Sequence, residues 1–548
     1  MQYRRPVTRL ATHDVDNQPP PFEGVNRYTS DDALREAVAR AGATSGEAHF
    51  AELGAQVGSV DFQDRAVQAN RHPPLLRSFD RYGQRIDEVE FHPAYHDLMR
   101  LGIEAGVSAV AWTTAAAGHT AHSVLMYLMT AADAGVCCPF SMTYAAVPVL
   151  RREPALAREW EPRVTASTYD ASSRPAAEKA GATIGMAMTE KQGGSDVRAN
   201  SSRARPLSAA GEYELVGHKW FCSAPMSDAF FTLAHTDAGL TCFFVPRWRP
   251  DGTRNAIHIM RLKDKLGDRS NASAEIEYHD AWGVRVGEEG QGVRTIIDMV
   301  QGTRLDCMVG SAALMRSALA AAIWHCRYRA AFGRRLAEQP AMQRVLADLA
   351  LEQEAALALA FRVARAFDRA SSDDEEAGVS RILTPIAKYW ICKRTPAFVY
   401  EAMECLGGNG FVEESQMPRL FRQSPLNSIW EGSGNVIALD AVRAIRTRPS
   451  LLDVLLRQLA PARGFDAALD GAVEALPALA GELGDASARH FVERIAFAMQ
   501  AAVLVEGAPE SVARAFIAAR FRDPAATFGA SRADIPSESL LERALPSR

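Results

Sequence analysis

The most reactive feature of the sequence is a carboxylate set between an indole and a glycine-rich turn. Glu431 follows Trp430 and precedes Gly432-Ser433-Gly434-Asn435, after which apolar residues recur at helical spacing. A glutamate at a turn is ordinarily solvated. Packed against Trp430 and glycines it would instead lose water, which raises its pKa and makes it a better base. Gly-Ser-Gly-Asn opening a helix offers unpaired N–H donors to an anionic or ribityl group.

Three other stretches carry chemistry-bearing types. "MTEKQGGSDV", residues 188–197, leaves a strand through small residues, which lets backbone N–H groups approach a planar or anionic ligand. It has neither the spacing of a P-loop nor that of a dinucleotide fingerprint, and a plain surface turn fits it equally. In "GHKWFCSAP", residues 217–225, strand alternation puts Phe221 and Ser223 on one face, so a ring and a hydroxyl could meet one flat ligand. A half-buried strand is the plainer reading. In "RYRAAFGRRL", residues 327–336, Arg329 and Phe332 fall three apart on a helix that Gly333 stops. They read either as a clamp for a pyrophosphate or adenine, or as a basic C-terminal cap.

The elements that must position these residues follow a clear order. Ser30 or Asp31 starts a helix at "TSDDALREAVARA", and the chain to about residue 165 reads as amphipathic helix broken at "NRHPPLL" and "CCPFS". Between 182 and 286, short β-rich runs separated by turn signals predict a small antiparallel sheet or barrel. Helical periodicity then returns. Leu346, Leu349, Leu357, Ala360, Ala364 and Phe367 share one face of a helix over 342–370, and the acidic run "SSDDEEAG" reads as a solvated connection. Further helices are expected at 378–405 and 434–446, and "RTRPS" marks a boundary before an Ala- and Leu-rich helical tail. The expected architecture is mainly α with a central antiparallel β-domain. Its parts are an extension (1–30), a helical domain (31–181), a β-domain (182–290), a helical bundle (291–446) and an extra helical domain (447–548).

Bulk properties narrow the function classes. The 548 residues are 47% hydrophobic and 23% charged, with a net charge of −5, an ordinary globular composition without an overall basic field. The eight cysteines form no C-x-x-C and read as buried free thiols, and no metal site is expected. The N-terminus has no secretory pattern and no run approaches a membrane span, so a cytoplasmic protein without membrane contact is expected.

Taken in order, these motifs resemble the acyl-CoA dehydrogenase superfamily. The matching segments are Met188–Asp196, Gly217–Ser223, Arg329–Gly333, Gly407–Gly410 and Trp430–Gly432. Within it, "GMAMTEKQGGSDV", "RLKDKLGDRSNAS" and "NSIWEGSGN" resemble the branch of bacterial flavoproteins that belongs to the adaptive response to alkylation damage. The resemblance implies an acyl-CoA dehydrogenase-like helix–β–helix fold, an FAD cofactor, an acyl-CoA or related substrate and a homotetramer built as a dimer of dimers. It places Met186, Met188, Thr189, Gly194, Ser195, Phe221 and Ser223 around the flavin, with Ser195 at the pyrophosphate and Ser223 near N5. Arg329 and Phe332 would reach the cofactor of a neighbouring subunit. Trp430, Gly432, Ser433, Gly434 and Asn435 would follow the base, Glu431, which takes the α-proton of an acyl-CoA while a hydride passes to the flavin, with isovaleryl-CoA-type activity implied.

Some members keep the base on an earlier helix, at the position of Thr303 here. Several positions depart from the family pattern: Pro340 for Gln, Glu404 for Gln, Gln423 for Asp, and Lys191-Gln192 for Pro-Gly. They point to weak acyl-CoA turnover. The branch is also associated with double-stranded DNA through its C-terminal helices, which makes a DNA-binding protective flavoprotein the alternative function. The section from 441 onward holds thirteen Arg and thirteen Asp or Glu. Arg443, Arg446 and Arg448, and Arg514, Arg520 and Arg522, are its two basic clusters, and solvated amphipathic helices explain them equally well.

Overall fold

A computed structural model of the chain describes residues 7–546. Residues 1–6 of the expected extension and residues 547–548 of the tail lie outside the described residues. The centre is helix Gly292–Tyr328, 37 residues long and therefore about 55 Å from end to end. Every residue from Gly302 to Ile323 is buried, so it is packed around its whole circumference. Its apolar composition would suffice for a bilayer span, but 94% of the apolar window lies inside the protein. Helices Pro340–Arg369 and Asp374–Glu404 pack beside it, and helices Gly118–Ala132 and Ala134–Leu150 cover another side.

The β-rich stretch forms a seven-stranded sheet. Strands Arg203–Pro206, Glu212–Ser223, Ser273–Val286, Gly239–Pro246 and Ala229–Thr236 pair in a closed ring, so the barrel alternative is the one adopted. Most pairings are antiparallel. Ile184–Ala187 joins Ala229–Thr236 in parallel, with Met186 opposite Phe231. Phe230, Phe243, Ile276 and Tyr278 form part of the core inside the ring. A second apolar cluster joins Ile184, Phe231 and Phe244 to Val147 and Leu150 of a helix, fixing the sheet against the helical layer.

A buried ion pair ties the loop after Ile184–Ala187 to the ring. Glu190 and Lys219 are both completely buried, 2.8 Å apart, and Lys219 also donates to the Leu233 carbonyl. Glu190 accepts further bonds from the Ser201 and Ser202 N–H groups and the Ser201 hydroxyl. Burial pushes its pKa up, but Lys219 and these donors outweigh it and hold the carboxyl well below its usual range.

Several local expectations are corrected. "CCPFS" lies inside helix Ala134–Leu150, which carries Pro139 within it; close packing of its buried residues keeps the helix going where proline alone would break it. Leu75–Phe79 and Arg85–Glu90 form a hairpin where a helical region was expected. The acidic run after residue 371 is a helix start: Asp373 caps Asp374–Glu404, with Asp374, Glu375 and Glu376 in its first turn. Acidic side chains favour the positive end of a helix, and Glu376 also pairs with buried Arg362 at 2.8 Å.

The tail packs back onto the bundle. Buried Arg520 pairs with Asp348 and Glu352, and Arg543 bridges Glu36 and Glu354. All eight cysteines are free and buried.

Removing one member of the Glu190–Lys219 pair leaves an uncompensated buried charge. Lys219→Met is expected to cost about 3–5 kcal/mol, and adding Glu190→Leu to recover part of it. Equilibrium urea unfolding of the two variants against the native protein measures both effects.

Candidate active site

Glu431 sits on a turn whose backbone is left-handed, with φ 57° at Glu431 and 105° at Gly432. That conformation is costly for a glutamate and needs outside support. Lys388, buried on helix Asp374–Glu404, donates to the carbonyls of both Trp430 and Gly432 at 2.7 Å. Arg304, on the central helix, donates to the Glu431 carbonyl at 3.1 Å and pairs with Asp440 at 2.9 Å. The indole of Trp430 donates to Asn427 at 2.9 Å. The turn is thereby held from both long helices at once.

The carboxyl group is half-buried, and the Thr303 hydroxyl donates to its Oε2 at 2.7 Å. Burial raises its pKa, while Thr303, Arg304 and Lys388 partly offset the rise. Thr303 thus touches Glu431, so the two positions that could carry a base converge on one point in space. Among the described residues, no carbonyl or side chain accepts the N–H of Glu431.

The remaining predicted residues frame this carboxyl in part. Met186 is buried at the strand end and Met188 and Thr189 are half-buried, while Gly194 and Ser195 are exposed on the loop. A side chain at Gly194 would strike Thr189. Phe221 is 50% exposed at the end of its strand, and Ser223 lies beside it with its hydroxyl 3.1 Å from that of Ser273. Burial pushes the Cys138 thiol up to about 12, and the nearby Lys265 ammonium partly offsets the rise. Ser433 stands at the N-cap of helix Gly434–Thr447 without capping it, so the first N–H groups of that helix remain open to a ligand. Asn435 is exposed, and its side-chain oxygen accepts from Arg489 of the tail at 2.6 Å.

Arg329 and Phe332 do not share a helical face. The helix ends at Tyr328, Arg329 is extended, and Phe332-Gly333 is the turn of a hairpin between Ala330–Ala331 and Arg334–Arg335. Arg329 donates to the Asn17 carbonyl at 3.0 Å. Phe332 is 99% exposed at the hairpin tip and contributes nothing to the site of its own chain.

The basic clusters are also corrected. Arg520 is buried on Asp348 and Glu352 and is removed from any surface. Arg514 pairs with Glu510, Arg522 with Asp466 and Arg446 with Asp485, whereas Arg443 and Arg448 stand exposed on and just after helix Gly434–Thr447. Glu190, Lys219, Thr303 and Lys388 were given no role by the sequence. The first two lie within the recognised motifs, Thr303 was marked only as the alternative position of the base, and Lys388 carries no local signal.

Comparison with known proteins places the chain in a family. The chain matches the acyl-CoA dehydrogenase middle domain over residues 185–281 and the acyl-CoA dehydrogenase C-terminal domain over residues 290–445. It matches the adaptive response protein AidB N-terminal domain over residues 17–171. It is 47% identical to the AidB protein of Escherichia coli (strain K12) over 468 residues, covering 85% of this chain and 86% of that one. Among solved structures, the Bd2924 apo-form superposes with a TM-score of 0.82 at 28% identity, covering 89% of this chain and 99% of that one. Caenorhabditis elegans ACDH-11 superposes with a TM-score of 0.84 at 24% identity, covering 100% and 95% of the two chains.

The chain belongs to the acyl-CoA dehydrogenase family, a family of FAD-dependent oxidoreductases. Within that family the chain belongs to the AidB branch. The residues present suit FAD: an uncapped helix N-terminus, a half-exposed aromatic at a strand end and a row of hydroxyls.

A base must be ionised to act, so flavin reduction is expected to rise with pH through a midpoint above the usual glutamate range. Thr303→Val removes a bond that favours the ionised carboxyl and should move that midpoint further up. Rapid-mixing pH profiles of the native and variant holoenzymes check both statements.

Proposed function

We propose that the protein dehydrogenates an acyl-CoA of the isovaleryl type at its α–β bond, with Glu431 as the base. The observation that carries this reading is the desolvated Glu431 carboxyl on a turn clamped by Lys388 and Arg304. FAD, when bound, supplies the hydride acceptor. Glu431 removes the α-proton at Oε1, because Oε2 is engaged by Thr303. The free N–H of Glu431 holds the thioester oxygen where negative charge develops, which lowers the barrier more than it aids binding. The ACDH-11 structure contains C11-CoA, so this fold accommodates an acyl-CoA.

Assembly as a homotetramer completes this reading, with Arg329 and Phe332 reaching a neighbour's cofactor. The nearly full exposure of Phe332, and of Phe411 at 80%, supports it. A role in the response to DNA alkylation is part of this proposal, supported by the match to the adaptive response protein AidB N-terminal domain and the 47% identity with the E. coli protein. Direct DNA binding, with the dehydrogenase activity vestigial, is the second reading; exposed Arg443 and Arg448 favour it, and the ion-paired state of the other arginines weakens it.

Anaerobic mixing with short branched acyl-CoAs tests the first reading. The native flavin should bleach, and Glu431→Gln should slow bleaching by about 10²–10⁴-fold. Equal behaviour of the two proteins would sink it. For the second, duplex affinity is measured against salt. Arg443→Ala and Arg448→Ala should each reduce the salt slope by about one, and a flat millimolar response in the native protein excludes DNA binding.

A further inference from the structure

The Ser223 hydroxyl ends a short hydrogen-bonded chain that begins at a half-buried lysine. Lys265 lies between strands Ile257–Leu262 and Ser273–Val286, and its Nζ is 2.8 Å from the Asn271 carbonyl and 3.2 Å from the Ser273 hydroxyl. Strand pairing sets Ser273 directly opposite Ser223, with their hydroxyl oxygens 3.1 Å apart. Ser273 is buried, and among the described residues its hydroxyl meets only these two groups.

The types of donor fix the direction of the chain. An ammonium donates and cannot accept. Ser273 Oγ therefore accepts from Lys265 and turns its own hydrogen toward Ser223. The oxygen of Ser223 is then an acceptor from within, and its hydrogen is left to point outward. Neighbouring Asp268 favours the charged lysine against the desolvation that burial imposes.

We infer that Lys265 is a positioning residue for the oxidoreductase chemistry: acting through Ser273, it makes Ser223 a hydrogen-bond donor toward the bound flavin. The inference rests on the reading that Ser223 faces the flavin ring. Chains of this kind polarise one another, so the first member affects a cofactor that it does not touch.

The experiment uses the purified holoenzyme and reads the visible flavin spectrum, the FAD content and the rate of flavin reduction by acyl-CoA. Lys265→Met and Ser273→Ala should shift the flavin bands in the same sense and slow reduction by about tenfold, the worth of one ordinary hydrogen bond, with FAD content unchanged. Lys265→Arg, which keeps a donor, should restore most of the native spectrum. Ser273→Ala alone remains decisive if Lys265→Met fails to fold. The inference is overturned if Ser273→Ala matches the native spectrum and rate while Ser223→Ala does not. If Ser223→Ala also leaves the spectrum unchanged, the placement of Ser223 at the flavin fails instead.

Discussion

The site depends on one ammonium group. Lys388 is buried and bonds the carbonyls on either side of Glu431, fixing a turn that the chain would otherwise avoid. A non-glycine residue held at positive φ is under local strain of the order of 1–3 kcal/mol, and such strain persists only where its surroundings over-determine it. Here they do: Arg304 fixes the intervening carbonyl, and Asp440 fixes Arg304. Because Arg304 and Lys388 come from two different long helices, the position of the carboxyl is as rigid as the packing of those helices. The clamp holds Glu431 half-buried; that burial raises its pKa, and the two cations of the clamp partly offset the rise.

The β-domain solves a related problem by a different route. A loop of small residues suits close approach to a ligand but has little apolar surface with which to hold itself. Glu190 and Lys219 supply the anchor, at the cost of desolvating two charges, and the backbone donors of Ser201 and Ser202 satisfy the rest of the carboxylate. The pair leaves the exposed rim around Gly194 and Ser195 free of structural duty. Lys191 and Gln192, which replace the family's Pro-Gly, remain on that rim; Gln192 braces Glu190 at 2.9 Å.

Much of this was legible in the sequence, because some signals are local. Short β-rich runs separated by turn signals marked the barrel strands, and the order of five short motifs identified the family. Other features depend on partners distant in the chain. The bond between Thr303 and Glu431 spans 128 residues and that between Lys388 and Gly432 spans 44, so neither leaves a pattern within a helical or strand period. The acidic run after residue 371 misled because the same residues suit a solvated loop and a helix N-terminus. Arg520 misled for a similar reason: a cluster of arginines looks alike in sequence whether it faces solvent or a buried carboxylate.

The bridge from Arg543 to Glu36 and Glu354 has a consequence for how the molecule is made. Arg543 follows Glu36 by 507 residues and Glu354 by 189. During translation the first helix and the central bundle can meet long before their common partner exists. This bridge therefore closes only after both helices have been made, and a protein without Arg543 would leave Glu36 and Glu354 with the more distant Arg40 as their shared cation.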